Sequence, residues 1–213
     1  MALGEHGKLS REHRENVYRY QDCHPTTTET ADLIGRVQWL KEHNDKRLFR
    51  RVLDIGCHDG FLSRWLLRGH SCELLVGVEI GQDATLNAVE QALIDQDVEG
   101  PMAIYLNQSW EEFNQPLQFT EVLLCELLEH FPHEENVALV KKAHRYLVTG
   151  GRGFITTPDP EGPFGVSNPD PHHINLMDVQ QLDALLGDAD ESIRLSSHIE
   201  VMPDGIIYAT WEK

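Results

Sequence analysis

From residue 51 onward, short apolar runs alternate with segments of helical spacing, and this alternation admits only a small group of folds. The runs are RVLDIG (51–56), CELLVGVEI (72–80), MAIYLNQS (102–109), EVLLCE (121–126) and RGFITTP (152–158). They show little polar alternation, as strands covered on both faces do. Between them, FLSRWLLRG carries Phe61, Leu62, Trp65 and Leu66 at helical spacing before Gly69, and DATLNAVEQALIDQ (83–96) reads as a second helix. A third helix starts near Pro132. Glu134 and Glu135 suit its positive end, Val137, Val140, Ala143 or His144, and Leu147 make its stripe, and Gly150-Gly151 reads as its stop. A helix near 178–187 follows. RLSSHIEV and GIIYATWEK about an MPDG turn read as a closing hairpin.

Strands alternating with helices imply βαβ units and a mainly parallel sheet. The expected fold class is α/β: a Rossmann-like, doubly wound, seven-stranded sheet, mostly parallel with a C-terminal antiparallel hairpin, helices on both faces. Such sheets bind ligands beyond the C-terminal ends of their strands. Residues 50–213 form this domain. Residues 1–49 read as an N-terminal helical extension or lid, with a short helix in SREHRENVYRY and a second over Thr28–His43, where Ala31, Ile34, Val37, Gln38 and Leu40 are loosely periodic.

Composition narrows the partners. The formal net charge is -17, and residues 71–213 carry 6 Lys/Arg against 25 Asp/Glu, whereas residues 1–70 carry 12 against 10. An acidic body repels polyanions at long range, so nucleic acid would have to dock on the N-terminal third. Apolar runs such as LLVGV (74–78) are too short to span a bilayer. No basic-then-apolar leader opens the chain, and the four cysteines (Cys23, Cys57, Cys72, Cys125) show no CxxC spacing. A cytoplasmic setting is expected.

Two constellations carry the chemistry. In VLDIGCHDG, Gly56 permits a sharp turn after the first strand and Gly60 permits close packing at the helix start. His58 stands where a dinucleotide fingerprint has its middle glycine, which disfavours a pyrophosphate ligand. Glu79, 25 residues after Asp54, ends the second strand, where a carboxylate can accept from both hydroxyls of a ribose. The second constellation, CELLEH (125–130), brings Glu126, Glu129 and His130 to the end of the fourth strand. The motif PHHINL follows the fifth. Two carboxylates and two imidazoles suit Mg, Mn, Fe, Co or Zn, and His130 alone suits general-base work.

DIGCHDG with its distant strand-end acid resembles the first two motifs of class I S-adenosylmethionine-dependent methyltransferases. The resemblance implies that Asp54 orients the cofactor's amino group, Gly56 meets its amino-acid moiety, Glu79 holds its ribose, and Gln108 or Ser109 reaches its adenine. It places Cys57, Gly60, Ile80 and Cys125 along the same pocket. CELLEH is similar to the ExxEH segment of ubiquinone-biosynthesis O-methyltransferases and of small-RNA 3′-terminal 2′-O-methyltransferases, which use that Glu, Glu and His around a divalent metal. The RNA group adds a histidine after the fifth strand, matched here by His173 better than by His172, and TTPDPE (156–161) resembles its strand-end segment. The implied metal set is Glu126, Glu129, His130 and His173, and the implied catalytic groups are His130, Glu129 and Glu126. The leading expectation is O-methylation of a small hydroxylated acceptor. The alternatives are 2′-O-methylation of an RNA 3′ end and a non-catalytic cofactor-binding module. The Gly/Pro-rich loop EGPFGVSNPDP (161–171) lies at the same rim.

Overall fold

A computed structural model describes residues 27–44, 49–63, 72–95, 102–163 and 171–213. The expected helix in SREHRENVYRY, the body of FLSRWLLRG and most of the 161–171 loop lie outside these residues. In chain order the elements are α1 (Thr27–His43), β1 (Arg51–Ile55), β2 (Leu74–Glu79), α2 (Gln82–Asp95), β3 (Met102–Asn107), β4 (Phe119–Cys125), a 3-10 turn (Leu128–His130), α3 (His133–Tyr146), β5 (Leu147–Pro158), α4 (Val179–Ala189), α5 (Glu191–Leu195), β6 (His198–Val201) and β7 (Ile206–Glu212).

The seven strands form one sheet in the order β3-β2-β1-β4-β5-β7-β6. Pairs from β3 through β5 are parallel, and β7 runs antiparallel to both β5 and β6. The order reverses between β1 and β4, which makes the switch point where such sheets open a crevice.

Strand periodicity divides the core in two. Leu53 and Ile55, Val76 and Val78, Val122 and Leu124, Ile155, and Ile207, Ala209 and Trp211 point to one face, where they meet Leu139, Val140 and Ala143 of α3 and Leu182, Leu185 and Leu186 of α4. Their neighbours Val52, Leu75, Leu123, Phe154 and Tyr208 point to the other, against Val37, Trp39 and Leu40 of α1. Each fully buried side chain of this size contributes about 1.5–3 kcal/mol.

Three local expectations are corrected. Gly150-Gly151 does not stop α3. The helix ends at Tyr146, Leu147 is already extended and opens β5, and the glycines lie within that strand. Gly150 takes φ 75° there, and the β4–β5 pairing shifts register between Phe119 and Glu121. In α1, Gln38 faces solvent and Trp39 packs inward instead. The inner face of α3 runs through Asn136, Leu139, Val140, Ala143 and Tyr146, with Val137 only partly buried.

Candidate active site

The β1-to-helix loop is held by the backbone of β2. Gly56 N–H and Cys57 N–H donate to the Val78 carbonyl at 2.8 and 3.3 Å, and Gly60 N–H donates to Cys57 O at 2.8 Å. Gly56 (φ 75°), His58 (φ 50°) and Gly60 (φ 70°) are all left-handed, so three of five consecutive residues use backbone that L side chains avoid. A Cβ on Gly56 would lie 2.6 Å from Leu127 Cδ1, and one on Gly60 would lie 2.6 Å from the Tyr105 hydroxyl. Gly60 therefore makes room for a β3 side chain rather than directly for a ligand.

Glu79 is buried, and its two oxygens accept from His58 N–H (3.0 Å) and Gly81 N–H (2.6 Å). The carboxylate is fixed by main-chain donors, with lone pairs left over. Burial raises its pKa, opposed chiefly by the Gly81 hydrogen bond and the His58 charge. Burial also works against protonation of His58, but the hydrogen bond and charge of Asp59 outweigh it and hold that imidazole's pKa up.

An open cleft, with about 330 Å³ of space that includes its solvent mouth, lies over this loop. Gly56, Glu79, Ile80, Gln108 and Ser109 line it, in keeping with the sequence. Trp110, Leu127 and Phe131 line it too, beyond what the sequence signals. Adjacency alone hints at them, Trp110 to the adenine position and Leu127 and Phe131 to the ExxEH segment.

The cleft region fits an aminoacyl nucleoside. Asp54 Oδ2, Gln108 Nε2 and Trp110 Nε1 are buried without hydrogen-bond partners, an acceptor and two donors that such a ligand can satisfy. Burial lifts the Asp54 pKa to about 7, with Ser63 opposing. Cys57 and Cys125 are placed differently from these groups. A Cβ on Gly77 would lie 2.7 Å from Cys57 Sγ, so that thiol packs on β2, and Cys125 sits in the apolar cluster beneath α1. Burial pushes both thiols up.

Past β4 the chain turns sharply. Glu126 adopts φ 49° while its N–H donates to Thr156 O at 2.8 Å. The 3-10 turn then carries Glu129 inward. Asn136 secures the turn by donating to Leu128 O (2.8 Å) and Phe131 O (3.2 Å). Glu129 is fully buried. Its Oε2 accepts from Thr157 Oγ1 at 3.2 Å, and its Oε1 has no hydrogen-bond partner. Burial, and secondly the charge of Glu126, raise its pKa well above the ordinary carboxylate value.

The segment 172–175 is fastened against this turn through main-chain atoms. Ile174 and Asn175 N–H donate to Glu129 O at 2.9 and 3.1 Å. His130 Nδ1 lies 3.3 Å from the His172 carbonyl. A carbonyl only accepts, so Nδ1 carries the proton and Nε2 presents a lone pair. The His173 ring stands 5.1 Å from that of His130, and one ligand atom from each of Glu129, His130 and His173 lies within 4.8 Å of the others. His172 thus orients a neighbour through its backbone, while His173 supplies the imidazole.

Glu126 does not join this cluster. Its Oε1 lies 3.7 Å from a guanidinium nitrogen of Arg36 on α1. The structure gathers three of the four metal-ligand candidates and turns the fourth toward a cation that no sequence motif marks.

Comparison with known proteins agrees. The profile of a methyltransferase-domain family matches residues 52–151. The ubiquinone biosynthesis O-methyltransferase of Aeromonas salmonicida is 33% identical over 129 residues, 57% of this chain and 49% of that protein. The chain thus spans about half the length of the curated relatives it matches. Among solved structures, the small RNA methyltransferase HEN1 superposes with TM-score 0.72 at 16% identity, covering 84% of this chain and 25% of that one. The magnesium protoporphyrin IX methyltransferase of Synechocystis with bound S-adenosylhomocysteine gives 0.65 at 17%, covering 92% and 94%. At such identities these superpositions speak for the fold alone. The chain thus resembles a methyltransferase domain over residues 52–151, on a sheet of the fold that those solved methyltransferases share.

Proposed function

We propose that this chain transfers a methyl group from S-adenosylmethionine to a hydroxyl oxygen of a small acceptor, with a divalent cation held by Glu129, His130 and His173. The carrying observation is the convergence of those three side chains, with Glu129 Oε1 buried and unpartnered, at the strand ends next to the cofactor cleft. In this reading Asp54 takes the cofactor's amino group, Glu79 its ribose hydroxyls, and Gln108 and Ser109 its adenine. Gly56, Cys57, Gly60 and Ile80 shape the loop around it, and Cys125 backs the strand end. The sulfonium is its own activated donor, so the chain's work is to align the acceptor oxygen and remove its proton. Without a bound cation, His130 Nε2 would accept that proton; with the cation held, that lone pair is a ligand and the proton would pass to solvent. A bound divalent cation would lower the pKa of a coordinated hydroxyl. The names of the relatives support an oxygen acceptor.

Residues 1–49 act in this reading as a cover over the acceptor side. The supporting observation is that α1 carries Arg36 to Glu126. Among the described residues no helix is long and apolar enough to cross a membrane, and Cys57, Cys72 and Cys125 are free thiols, which supports a reducing cytoplasmic setting.

The test is methyl transfer to a catechol probe with Mn²⁺ or with chelator, alongside Mn²⁺ binding followed by electron paramagnetic resonance. Glu129→Ala is expected to lower Mn²⁺ affinity at least about tenfold and to reduce turnover by about 10²-fold or more. Full activity and unchanged Mn²⁺ binding in that variant would sink the proposal.

A second reading, methylation of an RNA 3′ end, is supported by the position of His173, which falls in the cluster where the RNA-methylating group has its added histidine. The charge of residues 71–213 opposes it. An affinity for short RNA that falls steeply with salt separates the two.

A further inference from the structure

We propose that His43, His198 and Glu200 form a second divalent-metal site, selective for borderline transition ions such as Zn²⁺, that staples α1 to the outer hairpin of the sheet. It lies apart from the strand-end cleft and does not depend on the proposed reaction. His43 ends α1, and His198 and Glu200 stand on the same side of the edge strand β6, two residues apart. One ligand atom from each lies within 4.8 Å of the others. His43 Nε2 and His198 Nε2 are 3.3 and 3.9 Å from the same oxygen, Glu200 Oε1. In a tetrahedral zinc site with bonds of about 2.0 Å, ligand atoms lie about 3.3 Å apart, so these side chains need little rearrangement to close on an ion.

The surroundings prepare the ligands. His43 Nδ1 donates to the Trp39 carbonyl at 3.0 Å, which fixes the tautomer and leaves the Nε2 lone pair directed at Glu200. The His43 ring also stacks on Trp39, with centroids 4.1 Å apart. The two imidazoles are stacked, their centroids 5.7 Å apart and their planes 13° from parallel. Trp39 Nε1 donates to the Glu200 carboxylate and anchors it. An imidazole lone pair facing a carboxylate oxygen at 3.3 Å is repulsive unless a proton or a metal cation lies between them. Two imidazoles and one carboxylate favour Zn²⁺, Co²⁺ or Ni²⁺ over Mg²⁺. The His198 side chain is 59% exposed, which leaves an entry path and a fourth position for water. Because α1 also carries Arg36, an ion here would fix the helix that meets Glu126.

The full-length chain, stripped of metal, is titrated with Zn²⁺ against a chromophoric chelator. Glu129→Ala serves as the background, which removes the strand-end cluster from the count. One equivalent of tightly bound Zn²⁺ is expected in this background, at least tenfold weaker once His198→Asn or His43→Gln is added. Zn²⁺ should raise the melting temperature of the background but not of the double variants. Glu200→Gln, whose amide oxygen still accepts from Trp39, should weaken binding while leaving the metal-free melting temperature close to that of the background. Equal Zn²⁺ binding with and without His198, or no binding in the Glu129→Ala background, would overturn the proposal. So would crystals soaked in Zn²⁺ that show an anomalous peak only elsewhere.

Discussion

Asp54, given the cofactor's amino group in the proposed function, is a buried carboxyl that weighs on the empty fold. Its carboxyl titrates near 7 in the folded chain instead of 3.8, so the folded state holds the proton more tightly than the unfolded one. Stability linked to this group is therefore undiminished below about pH 4, falls as pH climbs to about 7, and stays reduced above, by on the order of 4 kcal/mol. Asp54→Asn is expected to raise the melting temperature of the cofactor-free chain at pH 8, leave it unchanged at pH 4, and weaken S-adenosylhomocysteine at least about tenfold by calorimetry. Arg36 argues in the opposite direction. Its removal frees Glu126 to turn toward Glu129 and His130, so Arg36→Ala should tighten Mn²⁺ binding; an unchanged dissociation constant would show that Glu126 is no reserve ligand. Residue type and strand rhythm place Glu129 and His130 at a strand end, whereas His173 is singled out in the sequence only by the family resemblance. Arg36 is not singled out at all, because no local pattern tells which turn of α1 faces a glutamate ninety residues away.

Elements are legible where periodicity is strong and illegible where tertiary pairing overrules a local signal. The parallel strands and α2 sit close to where alternation puts them. Gly150-Gly151 misleads because a glycine pair after a helix usually ends it. Here Leu147 is claimed by Phe119 across the sheet, and the glycines absorb the register shift that follows. Gly153 in the same strand makes room for an indole, since a Cβ there would lie 2.0 Å from Trp211 Cζ2. Gly153→Ala should destabilise by about 1–3 kcal/mol, read by denaturant melts, because Trp211 fills a closed layer. Helix α4 begins with a complete capping box, Asp178 accepting from Gln181 N–H at 2.8 Å and Gln181 Oε1 accepting from Asp178 N–H at 2.9 Å. Asp178→Ala should cost about 1 kcal/mol. The same change should speed hydrogen exchange over 172–178, because that helix start lies directly downstream of His173. The 3-10 turn has no sequence signature beyond ExxEH, yet it buries Glu129.

At the scale of the whole molecule, the sheet separates two cores and presents its strand ends between them. The acidic body sets the expected salt response. Methyl transfer to a small uncharged acceptor should change little from low to physiological salt, whereas an RNA acceptor would lose affinity steeply. A flat profile with the catechol probe and no measurable RNA retention would fit the small-acceptor reading. The strand ends are legible as the place for chemistry, because a doubly wound sheet has one crevice. The cleft's lining by Trp110, Leu127 and Phe131 emerges only from how three loops lean together.

The strap that brings His173 to Glu129 is tied by peptide groups: two N–H donors on one carbonyl. Such knots are indifferent to the letters they carry. The backbone would deliver whatever side chain stood at 173 to the same spot, so a single substitution there can give or remove an imidazole without a new fold. Under the proposed function, one mutational step at 173 would therefore add or remove a ligand of the cation, while the sheet and the cleft stay as they are.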